Sequence, residues 1–463
     1  NYSMANDVCT DNFGNSFVAG DFADTVFTFG STTVSAGNSG SVFVSKFSTS
    51  GQSLWTIIST GSGFDGGMAC CCDQQGNVYA TGRFVSDTFS FGSYSVINSG
   101  NTDVFVVKID ANGNVVWLVS AGGTGDEQGY AIVADYSGYI FVAGQFTSPN
   151  FASGNYNCGN IGLSDVFVLR LNSLGQSSAL FSGGGSSTDV AYGISTDGYG
   201  NVYLTGCYYY SSATFGVFAL TNYGNADIFV VKMSAALSVI WAKRFGGGIS
   251  EIGNDIDVDY AGHIAIAAQF SSPVLIVGSD TLVRVVGLDG CIIKLDSGGN
   301  VEWAKAVGGN QGDACNSVTI DALGNILVGI MFYSDSIILQ SNTIYHLPGF
   351  LEALLLINYD QFGNELCSDA IQTGGSYVQT DFIWPGNYVV SGSIYGPQLI
   401  VGNDTLFNPA QFTAFVARYE CTIAGAESPD ESSYAISLFP NPTSHHLTKE
   451  ATFHIRRIIV YNK

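Results

Sequence analysis

The sequence predicts an all-β protein built as a seven-bladed β-propeller, and three observations predict it. First, one phrase returns at a fixed interval: Asp73-Gln74-Gln75-Gly76-Asn77, followed by Val78 to Phe84. It starts again at Asp11, Asp135, Asp197, Asp259 and Asp321, and in worn form at Ile383, each start 62 residues after the last. Second, each 62-residue unit carries four strand signals and no helical periodicity. Third, composition agrees: 58 glycines, 13% aromatic residues and 46% apolar residues suit many short strands joined by tight turns. Seven units at one period mean one supersecondary element repeated, with a core shared between neighbours. Propellers of four to eight four-stranded blades are the common closed solution; an open β-solenoid would want end caps that are not visible here.

Within a unit, the first strand is short and begins with small residues, as in Gly129 to Ala134, Ala191 to Thr196 and Gly253 to Val258. A D-x-x-G-N turn follows, in which the Asp carboxylate caps the turn and the glycine takes positive φ. The glycine recurs at Gly14, Gly76, Gly138, Gly200, Gly262, Gly324 and Gly386. The second strand is rich in β-branched and aromatic residues. An insertion of about twenty residues then carries a small hairpin, clearest at Val274–Leu282 and Gln398–Leu406. The third strand is Val104–Ile109 and its parallels, closed by a second glycine hairpin, Asp110–Asn114. The fourth carries tryptophan at Trp55, Trp117, Trp241 and Trp303, which core packing explains.

The first three strands occur seven times and the fourth six. After Arg418 the pattern gives way to an acidic stretch. The division expected is therefore a propeller over 1–423, a linker over 424–433 and a separate tail over 434–463. The fourth strand of the last blade is expected from upstream of Asn1, as if the natural N-terminus lay before it. No signal peptide is visible.

These residues carry a family likeness. D-x-x-G-N-V-Y-x-T-G, then D-x-F-V-x-K-x-D-x-x-G-N, then W-x-x-x-x-G-G with its Gly122-Gly123 and Gly308-Gly309, resembles the SBBP-type β-propeller repeats of secreted bacterial proteins. The likeness spans about residues 1–420 and implies the fold but almost nothing about activity. In the tail, Ile436–Thr443 with its Pro440-Asn441-Pro442 resembles the opening of a type A sorting domain of the type IX secretion system of Bacteroidota. That resemblance implies passage across the outer membrane through the secretion machinery, and an extracellular or outer-membrane surface-attached product. The chain stops at Lys463, before the last strand usual in that family.

Charge narrows the function. Thirty-eight acids against fifteen Lys and Arg give a net charge of −23, which opposes binding to nucleic acid and anionic lipid. The longest apolar runs, such as Leu351–Ile357, are far too short for a membrane span. The ten cysteines show no C-x-x-C pair or zinc spacing. Cys70-Cys71-Cys72 replaces Ile132-Val133-Ala134 and reads as small buried hydrophobes, while Cys367 and Cys421 are disulfide candidates. No nucleophile elbow, metalloprotease helix or P-loop occurs, and His263 and His346 have no partner at a telling spacing. No enzyme and no cofactor are expected.

Asp65, Glu127, Asp189, Glu251 and Asp313 share one register position, in the loop entering the first strand. Chain direction puts them on the face opposite the D-x-x-G-N turns. They either ring the channel mouth as a site for a cation, calcium included, or for a cationic ligand, or each caps its own loop amides. A basic row, Lys46, Lys108, Arg170, Lys232, Lys294 and Arg418, is expected to brace blades. Aromatic ligand contacts are sought where copies differ, at Tyr208, Tyr209 and Tyr210, with Phe215, Tyr94 and Tyr156. The expected function is a secreted or surface binding and adhesion module for a glycan or protein ligand. A polysaccharide lyase or hydrolase with carboxylates at the channel mouth, and a purely structural surface protein, are the alternatives.

Overall fold

The computed structural model describes residues 3–23, 26–29, 32–35, 40–340, 342–346, 352–372, 378–384, 387–395, 398–401, 404–407 and 412–420, together with 439–440 and 461–462. Among them there is no helix. Six blades are four-stranded antiparallel meanders, the third being Glu127–Ala134, Ile140–Phe146, Asp165–Leu171 and Ser177–Gly183 in spatial order. The seventh holds three strands among the described residues, Val378–Trp384, Asn387–Tyr395 and Phe412–Glu420. The first strands of successive blades lie side by side around the axis, and Ser3–Thr10 of the first blade meets Val378–Trp384 of the seventh. The Thr10 N–H donates to Asp381 Oδ2 at 2.7 Å across that seam. The ring is closed, and the architecture is the seven-bladed propeller.

The core lies between blades rather than within one sheet. Phe141, Val166 and Val168 of the third blade pack on Val202, Leu204 and Phe229 of the fourth, and Ala5, Val18 and Phe43 of the first pack on Val389 and Val416 of the seventh. A blade alone would leave both faces bare, so blades are stable only as neighbours. The insertion hairpins add a second link. Thr88–Phe91 of the second blade pairs with Ser53–Thr60, the outer strand of the first, and Gln398–Val401 pairs with Glu365–Gln372 in the same way.

The turn chemistry is as the sequence implies. Gly14, Gly76, Gly138, Gly200, Gly262 and Gly324 all have φ between 75° and 92°. Asp11 Oδ1 accepts the N–H groups of Phe13 and Asn15, and Oδ2 accepts Asn15 Nδ2, a pattern repeated at Asp73, Asp197 and Asp321. Lys46, Arg170 and Lys232 of the basic row brace neighbouring blades. Lys46 Nζ lies 3.6 Å from Asp11 and donates to the Ala111 carbonyl of the next blade, and Lys232 repeats this with Asp197 and Ser297. Trp117 and Trp303 donate Nε1–H to the Ser173 and Gln361 carbonyls of the following blades.

One feature has no counterpart in the repeat pattern. Each innermost strand of the first six blades carries a bulge, between Ala5 and Asp7, Gly67 and Ala69, and so on to Cys315 and Ser317. The bulge presses a carbonyl onto the second strand: a Cβ at Gly20, Gly82, Gly144 or Gly206 would lie 1.8–2.0 Å from a carbonyl oxygen. Glycine at these four positions avoids that approach, while the fifth and sixth blades carry Ala268 and Ile330 beside the same bulge.

The linker 424–433 lies outside the described residues, as do Asn441 and Pro442. Of the tail, Phe439–Pro440 and Tyr461–Asn462 pair with each other in parallel. Cys367 is disulfide-bonded, and the other eight described cysteines are free thiols.

Candidate functional site

The five acids of the shared register stand at the start of the innermost strands, at the end opposite the D-x-x-G-N turns, and all are buried, with exposures of 0–1%. Each turns inward to its own loops. Asp65 Oδ1 accepts the N–H groups of Val85 and Ser86, and Oδ2 accepts the Ser86 hydroxyl at 2.7 Å. Glu127 takes Gly123 N–H, Ser148 N–H and the Ser148 hydroxyl. Glu251 takes Gly247 and Ser272 N–H, and Asp313 takes Gly309, Tyr333 and Ser334 N–H and the Ser334 hydroxyl. Of the two readings the sequence left open, amide capping is the one in the geometry. Burial pushes Asp65, Glu127 and Asp313 above the ordinary carboxylate range, and the hydrogen bonds oppose it.

The fourth blade departs from this. Tyr210 replaces the capping serine, with φ at 55°, and donates its N–H to the Asn225 carbonyl. Asp189 keeps the Gly185 N–H alone, and its Oδ1 has no partner. Asp165 beside it, held by Ile161 N–H, also has an unpartnered Oδ1. Burial lifts Asp189 to about 7, opposed by the Gly185 amide and aided by Asp165, and lifts Asp165 to about 6. Asp165 is 1% exposed and Asp189 0%, so neither carboxylate is open to a polysaccharide.

The aromatic candidates divide. Tyr208 is fully buried, its hydroxyl donating to the Thr221 carbonyl, and Phe215 is buried against Phe229. The strand Val202–Tyr209 runs on through what the sequence suggested was loop, so Tyr208 and Phe215 belong to blade packing, not to a ligand surface. Tyr209 is half-buried, its ring 6.1 Å from that of Tyr210, and Tyr210, Tyr94 and Tyr156 are exposed.

Along the axis lies a cavity of about 250 Å³, lined by the turn-side parts of innermost strands. Four aspartates line it, and each reaches the next blade. Asp7 accepts Cys70 N–H at 2.8 Å, Asp255 accepts Val318 N–H at 2.9 Å, Asp257 accepts Ile320 N–H at 2.8 Å, and Asp381 accepts Thr10 N–H. Burial pushes Asp255 to about 7 and Asp7 well above its ordinary value. Among the described residues, no three His, Cys, Asp or Glu side chains gather as a metal would need.

A site that sequence reasoning missed sits on the turn face. Tyr136, Tyr199 and Tyr260 occupy the D-x-x-G-N turns of the third, fourth and fifth blades, with exposures of 62%, 75% and 64%. The Tyr260 ring centroid is 5.7 Å from that of Tyr136 and 6.1 Å from that of Tyr199. Tyr260 lies on Gly198, where a Cβ would fall 2.3 Å from its ring, and Gly198 N–H donates to the Tyr260 carbonyl at 3.1 Å. Asp257, three residues before Tyr260, lines the axial cavity, so this aromatic strip flanks the axis. The signal available in sequence was a tyrosine at the same turn position in Asp135-Tyr136 and Asp259-Tyr260, with glycine between them at Gly198.

No family model matches the chain. An uncharacterized WD repeat-containing protein of Acanthamoeba polyphaga mimivirus is 24% identical over 358 residues, 62% of this chain and 25% of that protein, so the chain spans about a quarter of this relative's length. Among solved structures, a Bacteroides caccae protein of unknown function aligns with a TM-score of 0.32 at 10% identity, over 65% of this chain and 81% of that one. The chain is a β-propeller repeat protein, similar in sequence to a WD-repeat protein.

Proposed function

We propose that this propeller is a secreted or surface-displayed binding module, not an enzyme, and that its ligand is a glycan stacked on Tyr136, Tyr199 and Tyr260. The observation that carries the reading is the strip itself. Three rings more than 60% exposed stand together on a frame of closed turns, with Tyr260 against both of the others. Contiguous exposed aromatic patches mark interaction surfaces where scattered single rings do not. Their apolar faces suit the C–H faces of sugars, while the hydroxyls offer donors and acceptors to sugar hydroxyls. Because each ring is set by a turn with its glycine at positive φ, little order has to be gained on binding.

Export is supported by the likeness to SBBP repeats, by the P-N-P phrase at Pro440–Pro442 that resembles a type IX sorting signal, and by the disulfide at Cys367, which belongs to an oxidising compartment. No cofactor is part of this reading. Native electrophoresis through gels cast with soluble xylan, mannan, β-glucan or pectin tests it. At least one polymer should retard the protein, and Tyr260→Ala should weaken that retardation about tenfold or more. Equal retardation of the variant, or none of the wild type by any polymer, refutes the glycan assignment and favours a purely structural role.

A further inference from the structure

We propose that Cys9 and Cys72 form a disulfide that ties the first blade to the second across the axial cavity. Their sulfurs are 2.7 Å apart, inside the contact distance of two unbonded thiols, and both residues line the cavity. The position is a seam clasp elsewhere in the ring. The equivalent of Cys9 in the fifth blade is Asp257, which holds the Ile320 N–H of the sixth, 63 residues on. In the seventh it is Asp381, which holds both the N–H and the hydroxyl of Thr10 in the first, at 2.7 and 2.9 Å. At the first seam the same two positions are both cysteine, again 63 residues apart. A thiol–thiol hydrogen bond is a poor clasp; a covalent bond is a firm one.

Of the other two cysteines of the run, Cys71 faces away, whereas the Cys70 thiol also lies within hydrogen-bonding reach of Cys9 and is the competing partner. Cys71 packs with Ile132 and Val142 of the third blade, and the Cys70 thiol donates to the Phe17 carbonyl. Oxidation breaks two S–H bonds and makes one S–S bond. The two protons and two electrons pass to a small disulfide such as oxidised glutathione, which leaves as two thiols. Burial pushes the Cys72 thiol up to about 12 and that of Cys9 well above its usual value, so thiolate is scarce in the closed ring.

The test is a disulfide map of the full chain refolded with reduced and oxidised glutathione, then alkylated and digested with trypsin without reduction. Cleavage after Lys46 and Arg83 separates Cys9 from the triple-cysteine run. The expected result is one species joining 1–46 to 47–83, and a thiol count in denaturant four lower than in a chain refolded without oxidant, two for this bond and two for that of Cys367. Cys72→Ser should abolish the joined species, while Cys70→Ser and Cys71→Ser keep it. Recovery of both peptides alkylated, or a joined species that survives Cys72→Ser and disappears with Cys70→Ser, overturns the assignment; neither result depends on any glycan.

Discussion

Replacing Asp313 separates a loop cap from a cation site. Its carboxylate is 1% exposed and accepts four hydrogen bonds, from Gly309, Tyr333 and Ser334 N–H and from the Ser334 hydroxyl. In Asp313→Asn the oxygen still serves Tyr333 and Ser334, and the serine hydroxyl can rotate to accept from the new amide. The Gly309 N–H is left facing a donor, at a cost of about 1–3 kcal/mol. Relief of the buried charge offsets part of this, because burial already raises the Asp313 pKa. Asp313→Ala removes every acceptor and should cost about 3–5 kcal/mol. For a chain of this length the melting midpoint moves by about 1 °C per kcal/mol, so the alanine variant should melt about 3–5 °C lower, and the asparagine variant less. Scanning calorimetry with millimolar calcium or with chelator should give the same midpoint for wild type and both variants. A calcium-dependent rise in the wild type that Asp313→Asn abolishes would refute the capping argument and restore the cation ring.

The remaining predictions concern the seam and pH. Asp381→Ala leaves the Thr10 N–H without its acceptor across the closing seam, at a cost of about 1–3 kcal/mol; hydrogen exchange of Thr10 and its strand should quicken while that of the fourth blade does not, and unchanged exchange would deny the seam. Burial raises Asp165 and Asp289 to about 6 and Asp189 and Asp255 to about 7, all above the unfolded carboxylate value of about 3.9. The folded chain thus holds more protons than the unfolded one between those values, so this contribution is full below about pH 4 and is lost as pH rises through 6 to 7. The urea midpoint should be higher at pH 5 than at pH 8, and the opposite order would show that these carboxylates are not buried as described.

What was legible in the sequence is what repeats within a few residues. The Asp11-type cap and its glycine act within one turn, so their chemistry is complete in the D-x-x-G-N phrase. The Lys46 row was legible as bracing because six of fifteen basic residues share one register. The bulge in the innermost strands of the first six blades was not, because an extra residue present in each of them leaves the period at 62. Tyr208 was misplaced because a run of three tyrosines before two serines reads as loop. In the structure the strand runs on through Tyr209 and carries Tyr208 between blades, and it ends where Tyr210 takes a positive φ of 55°, which leaves that ring outside. Tyr199 was hidden for another reason: it stands one place along its turn from Tyr136 and Tyr260, so register comparison never joins the three.

Departure from the repeat is itself informative, once each departure is placed in space. A ring of similar units can satisfy its internal needs with similar residues, as the first-strand acids do with their serines and amides. A unit that differs has either lost a need or met another one. At the fourth blade Tyr210 displaces a serine, and Asp189 is left with a buried carboxylate oxygen without a partner, which is a cost inside the fold. On the turn face the third, fourth and fifth blades carry tyrosine where the first, second and sixth carry Asn12-Phe13, Gln74-Gln75 and Ala322-Leu323. Among the described residues those tyrosines join none of the hydrophobic clusters and stand more than 60% exposed, so core packing does not account for them. Tyr260 rests on a glycine, Gly198, which leaves room for that ring where its counterparts carry side chains. The three rings and the glycine that seats one of them act together, and a surface contact with a ligand is what such a grouping on an outer face can serve.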